Sequence, residues 1–125
     1  MSSWWKDLKN SIVGGISLRP AARTSTGNGS GVDLLTGDGG SCAIIQAGTI
    51  TDGTHTVTVE ESNDNSTYTA VSGADSKALA AADSDTVTLL NFTRTKRYVR
   101  AVTTVAGATT GGLYGVAVHA MKKAG

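Results

Sequence analysis

The chain has 125 residues and a net charge of +1, which is room for one domain and too little charge for a disordered segment. Leu, Ile, Val and Phe supply 25 of those residues, a thin allotment for a self-sufficient core, so completion by a partner or by self-association is expected. A single cysteine, Cys42, excludes an internal disulfide and a cysteine-rich metal site, and no apolar run of about 18 residues is present to span a bilayer.

Residues 3–13, "SWWKDLKNSIV", carry the one helical pattern. Trp5, Leu8 and Ile12 stand at i, i+3 and i+7, and Trp4 lies beside Leu8 at i, i+4. Ser3 suits an N-cap, and Gly14-Gly15 is expected to end the helix. A helix this short needs a dock. Its own sheet, a neighbouring protein and a membrane surface are the three possibilities, the last disfavoured by only two lysines. No apolar stretch of the secretory-signal type precedes it. Residues 14–31 read as an extended arm, with Pro20 holding Arg19 in extended backbone. Trp4, Trp5, Leu8, Ile12, Arg19 and Arg23 are the candidate partner-binding residues.

Residues 32–125 read as the body. The chain carries 18 Thr and 16 Gly, and short Thr/Val runs broken by Gly point to an all-β fold, an antiparallel β-sandwich of jelly-roll or Greek-key type. Strands are expected near 41–48, 54–62, 67–72, 86–92, 97–106 and 111–119, with another near 32–36. Turns are expected at Gly37–Gly40, Thr51–Gly53, Asn63–Ser66 and Gly107–Thr110. Residues 74–85 read as a loop or one to two helical turns with Asp75 as cap. In 54–62, His55, Val57 and Val59 share one face while Thr54, Thr56, Thr58 and Glu60 share the other, so the first face is buried. Strands 41–48, 86–92 and 97–106 are apolar on both faces, which predicts a second cover from the N-terminal helix or another subunit.

No residues assemble into a catalytic motif. "GNGSGVD" lacks the helix that a serine elbow requires, and His55 and His119 lie far apart. Cys42 sits among apolar residues and reads as a small hydrophobe. "ESNDNST" (61–67) is rich in oxygen donors but lacks calcium-loop spacing, and Asx turns account for it. "TRTKRYVR" (93–100) is the one basic run; with a single aromatic it reads as a charged hairpin edge rather than a nucleic-acid site. Residues 1–32 sum to +3, residues 33–85 to −8 and residues 86–125 to +6, a polarity that either orients the protein or vanishes when folding interleaves the segments.

"AGTITDGTHTVTVEESNDNSTYTAV" (47–71), "KRYVRAVTTVAGATTGGLYGVAV" (96–118) and "LRPAART" (18–24) resemble small virion structural proteins of tailed bacteriophages, of the capsid decoration or cement type. The resemblance implies a β-rich, oligomeric, non-enzymatic protein on the capsid exterior. Its partners would be the major capsid protein and further copies of itself, as a homodimer or homotrimer. No cofactor, metal, membrane or nucleic acid is implied. A head-fibre, tail or baseplate component is the alternative, followed by a carbohydrate-binding module.

Overall fold

A computed structural model describes residues 11–122. They form two antiparallel sheets packed face to face, an all-β sandwich. The first sheet joins β1 (Ile12–Arg23), β10 (Gly112–Lys122), β4 (Gly37–Ile50) and β8 (Val87–Thr93), in the order β1-β10-β4-β8. The second joins β2 (Gly27–Asn28), β9 (Tyr98–Ala106), β5 (Thr54–Ser62) and β6 (Thr69–Ala70), with β3 (Val32–Asp33) on β9 and β7 (Lys77–Leu79) on β5.

Side-chain alternation builds the core between them. Val57 and Val59 of β5 and Val99 and Ala101 of β9 face Ala43 and Ile45 of β4, Leu90 and Phe92 of β8, and Tyr114, Val116 and Val118 of β10; all are buried. The alternation in 54–62 is as expected: His55, Val57 and Val59 point inward and Thr54, Thr56, Thr58 and Glu60 outward. Replacing Val57 or Val59 with Ala therefore lowers stability by about 1–3 kcal/mol in urea titrations, through lost burial and a cavity.

Several expectations need correction. The helix expected over 3–13 lies mostly outside the described residues, and its last two, Ile12 and Val13, are already strand, paired with Met121 and Ala120. Residues 14–31 are extended but not free. β1 runs along β10 from Ile12↔Met121 to Arg23↔Gly112, so the sandwich begins at Ile12 rather than Val32. Two register shifts, at Ile16/Leu18 and Leu18/Ala21, let both Ser17 and Leu18 turn inward and hide the period of two. Pro20 is tolerated because β1 is an edge.

The return from β1 crosses to the second sheet. Ser17 Oγ accepts from Ala101 N at 2.8 Å and donates to Ser30 O at 2.8 Å. Gly29 N donates to Ala101 O at 2.7 Å, and a Cβ on Gly29 would sit 2.4 Å from Ser17 Oγ, so only glycine fits. Gly37–Gly40 is no turn but the start of β4. A Cβ on Gly37 would lie 2.7 Å from that of Ala120, so the glycine there allows close approach between strands. The strand expected over 67–72 shortens to Thr69–Ala70. Residues 74–85 hold β7 and a single 3-10 turn, Ala81–Asp83, in which Asp83 accepts from Ala80 N at 2.9 Å. Asp75 is not a cap; it accepts from Asn91 N at 3.0 Å, closing part of the β8 edge.

Candidate interaction surface

Several polar and titratable residues are held by contacts within the fold. His55 is buried, with Nε2 3.0 Å from the carbonyl of Asp52 and Nδ1 3.0 Å from Tyr114 Oη. A carbonyl only accepts, so Nε2 carries the hydrogen and Nδ1 accepts from the tyrosine hydroxyl. The Tyr114 oxygen in turn accepts from Thr103 Oγ1 at 2.5 Å. This chain, Thr103 to Tyr114 to His55 to Asp52, ties the two sheets together inside the core.

His119, Cys42 and Asn91 align in one row across β10, β4 and β8, residue types that elsewhere make a thiol nucleophile. Two observations argue against that chemistry here. The His119 ring leans over Gly14 of β1, where a Cβ would meet its Nδ1 at 2.3 Å, which places it on the side of β10 away from Cys42. Burial also pushes the Cys42 thiol up from its ordinary pKa, away from the thiolate.

The acidic and basic runs meet each other. Arg97 forks onto Asp33 at 3.0 and 2.7 Å, and Arg100 donates to Glu60 at 2.9 and 2.7 Å, its cross-strand neighbour. Arg94 donates to the carbonyls of Leu34, Gly37 and Lys96. Folding has thus interleaved the segments of opposite charge, with Arg97 and Arg100 of the basic run each paired to a carboxylate. Arg19 is exposed on β1. Arg23 is partly buried, stacked 5.6 Å from the Tyr114 ring centroid and donating to Arg19 O. Ile12 is half-buried at the start of β1; Trp4, Trp5 and Leu8 lie outside the described residues. Phe92 and Tyr114 are in the core, and Tyr68 and Tyr98 lie under Arg100 and Arg97, so these four rings do not form a sugar-stacking platform.

The acidic turn is held by its own backbone. Asp64 accepts from Thr67 N, Ser66 N and Ser62 Oγ, which holds its carboxyl down at about 2. The Arg97 fork, then Leu35 N, hold Asp33 at about 2 as well. Asp52, which accepts from Gly111, Thr110 and Thr109, and Asp83, which accepts from Ala80 N and pairs with Lys77, are also lowered. A carboxylate whose pKa is depressed by folding stabilises above its unfolded value and loses that contribution as pH falls through the folded one. The melting temperature is therefore expected to be flat from pH 7 to 5 and to fall between about pH 4 and 2. A fall centred at pH 6 to 7 would contradict this assignment. Glu61 is buried and accepts from Thr95 N at 2.7 Å and Lys96 N at 3.1 Å, fixing the β8–β9 turn. Among the described residues no group of three or more His, Cys, Asp or Glu is placed to hold a metal ion. Asp64→Ala, which removes three acceptor contacts, is expected to lower the melting temperature more than Asn63→Ala beside it.

The two outer faces differ sharply. That of the second sheet is hydroxyl-rich and charged: Thr54, Thr56, Thr58 and Glu60 on β5 lie opposite Ala106, Thr104, Val102 and Arg100 on β9. That of the first sheet is apolar. One row runs in register across all four strands: Ile16, Ala117, Ile44, Leu89. Beside it lie Gly115, Gln46 and Val87, and beyond them Leu113 over Gly48. No Asp, Glu, Lys or Arg occupies the outward positions 113–119 of β10, 42–48 of β4 or 87–91 of β8. Ile16 is 59%, Val87 63%, Leu89 59% and Leu113 47% exposed. A hollow of about 700 Å³ continues this face at the end where β1 begins, lined by Ile12, Cys42, Asn91, Phe92, His119 and Met121 among others.

The doubled apolar pattern of 41–48 and 86–92 signalled this face in the sequence. The pattern of 97–106 did not lead to it: β9 lies in the other sheet, where Tyr98 and Val102 are half-buried beside Arg100. No protein-family model matches the chain, and no curated protein matches it in sequence.

Proposed function

We propose that the chain is a non-enzymatic structural protein of a phage virion that binds and stabilises the capsid shell from outside. The observation that supports this reading most is the contrast between the two outer faces. One carries an apolar row, Ile16, Ala117, Ile44 and Leu89, across four strands, with no charged residue at the outward positions of β10, β4 and β8; the other is a threonine-rich surface suited to water. A module of this kind lays its apolar side on a partner and turns its hydroxyl side outward. Each contact is modest in area, and many copies on one shell add up. The major capsid protein is the proposed partner, with further copies of the chain as neighbours. The resemblance of residues 47–71 and 96–118 to virion structural proteins points the same way.

Cosedimentation of the purified chain with purified shells of the phage that encodes it tests the reading. Saturable binding is expected. Absence of binding to the shell, with binding instead to isolated tails, would favour a tail or baseplate component.

A further inference from the structure

We infer that in solution two copies of the chain pair through the apolar outer face of the first sheet, about a two-fold axis that runs along β4. The inference concerns the free protein and does not rest on the capsid reading; a shell would compete with the second copy for the same face.

The relief of the face selects this occupant. β10 carries its small outward residues, Gly115 and Ala117, which floor a groove of about 190 Å³ walled by Ile16 and Pro20 on β1 and by Ile44 and Gln46 on β4. β8 carries a ridge, where Val87 and Leu89 are 63% and 59% exposed. Groove and ridge stand one strand to either side of β4. They are also in step: Ala117, Ile44 and Leu89 share one row, and Gly115, Gln46 and Val87 share the next. A two-fold rotation about β4 exchanges the places of β8 and β10 and keeps each row in register. Each copy then lays its Leu89 over the other's Ala117, and its Val87 over the other's Gly115. On the axis Ile44 meets Ile44, and Gln46 meets Gln46, whose carboxamides each hold a donor and an acceptor for the other. The surface is thus its own complement, as an isologous interface requires, and the two sheets stack nearly aligned.

Charge agrees with this pairing. No Asp, Glu, Lys or Arg occupies the outward positions of β10, β4 and β8 in this stretch, so the overlap strips no ion of water. The same rotation sets the β1 margin of one copy, with its exposed Arg19, beside the β8 margin of the other, where exposed Asp85 precedes the strand. Area fixes the strength. Four strands at about 4.8 Å and seven residues at about 3.4 Å give a face of roughly 450 Å². A pair buries roughly 900 Å², below the ~1,200 Å² at which lasting complexes begin, so the dimer is weak and reversible.

Cys42, the only cysteine, shares the outward parity of Ile44 on β4 and so falls on the axis as well. In the isolated full chain, sedimentation equilibrium should show monomer exchanging with dimer, and a short bis-maleimide should join two chains through Cys42. Leu89→Lys should leave monomer alone and abolish the cross-link; the side chain is exposed, so folding tolerates the change. Thr56→Lys, on the opposite outer face, should pair as the wild type does. Leu89→Ala, which removes the ridge, and Ala117→Leu, which fills the groove, should each weaken pairing about tenfold. Combined in one chain they should restore most of it, because a small residue at 89 then faces a large one at 117. The inference is overturned if the full chain is monomeric from micromolar to millimolar concentration, if the pair survives Leu89→Lys, or if the double variant pairs no better than either single one. A full chain that stays monomeric while a chain lacking residues 1–10 pairs would assign the face to that segment and overturn it too. No shell enters these measurements, so their failure is distinguishable from failure of capsid binding.

Discussion

Replacing Tyr114 with Phe is expected to lower stability by about 1–3 kcal/mol, although the ring is kept, because two buried partners lose their contact. Tyr114 is 1% exposed, and its hydroxyl both donates to His55 Nδ1 and accepts from Thr103 Oγ1. Without it, the imidazole nitrogen has no donor and the threonine hydroxyl no acceptor, in a core that water does not reach. Tyr114→Ala adds loss of the ring between the sheets and should cost about 3–5 kcal/mol. Urea titration of the three proteins measures both steps. Equal stability of the wild type and Tyr114→Phe would mean that the hydrogen-bond chain across the core is not as described.

The second large effect is expected on the proposed shell binding rather than on folding. The double substitution Val87→Lys, Leu89→Lys places two cations on the apolar face at positions 63% and 59% exposed. Stability should move by less than about 1 kcal/mol, as at surface positions generally. Binding to shells should be lost, since each charge must be stripped of water without a counter-ion on the apolar side. Thr56→Lys, on the hydroxyl-rich face, should bind as the wild type does. Loss of binding in Thr56→Lys with retention in the double variant would reverse the orientation on the shell.

Legibility in the sequence follows the regularity of each element. β5 is legible to the residue because Thr54–Ser62 alternates without interruption, and its inward parity places His55 in the core. The partner of His55 was not legible, for Tyr114 lies 59 positions away and only the strand order brings them together. β1 looks like an arm in the sequence because two bulges, Gly14-Gly15 and Pro20 break its period, and because Leu18 and Ser17 both turn inward. The glycines of 37–40 imitate a turn, although they open β4, and Gly37 serves close approach between β4 and β10. The proposed interaction surface is half legible. Ile44 and Leu89 showed that their strands carry a second apolar face, but that these residues fall in one row with Ile16 and Ala117 depends on register, which local composition does not encode.

The most direct test of the proposed role is the number of copies of this chain per purified virion, counted by quantitative mass spectrometry against the major capsid protein. A capsid-binding protein that works by many modest contacts should be present on the order of hundreds of copies, in fixed ratio to the shell. Absence from the particle, or a count near that of a single vertex or tail, would contradict it.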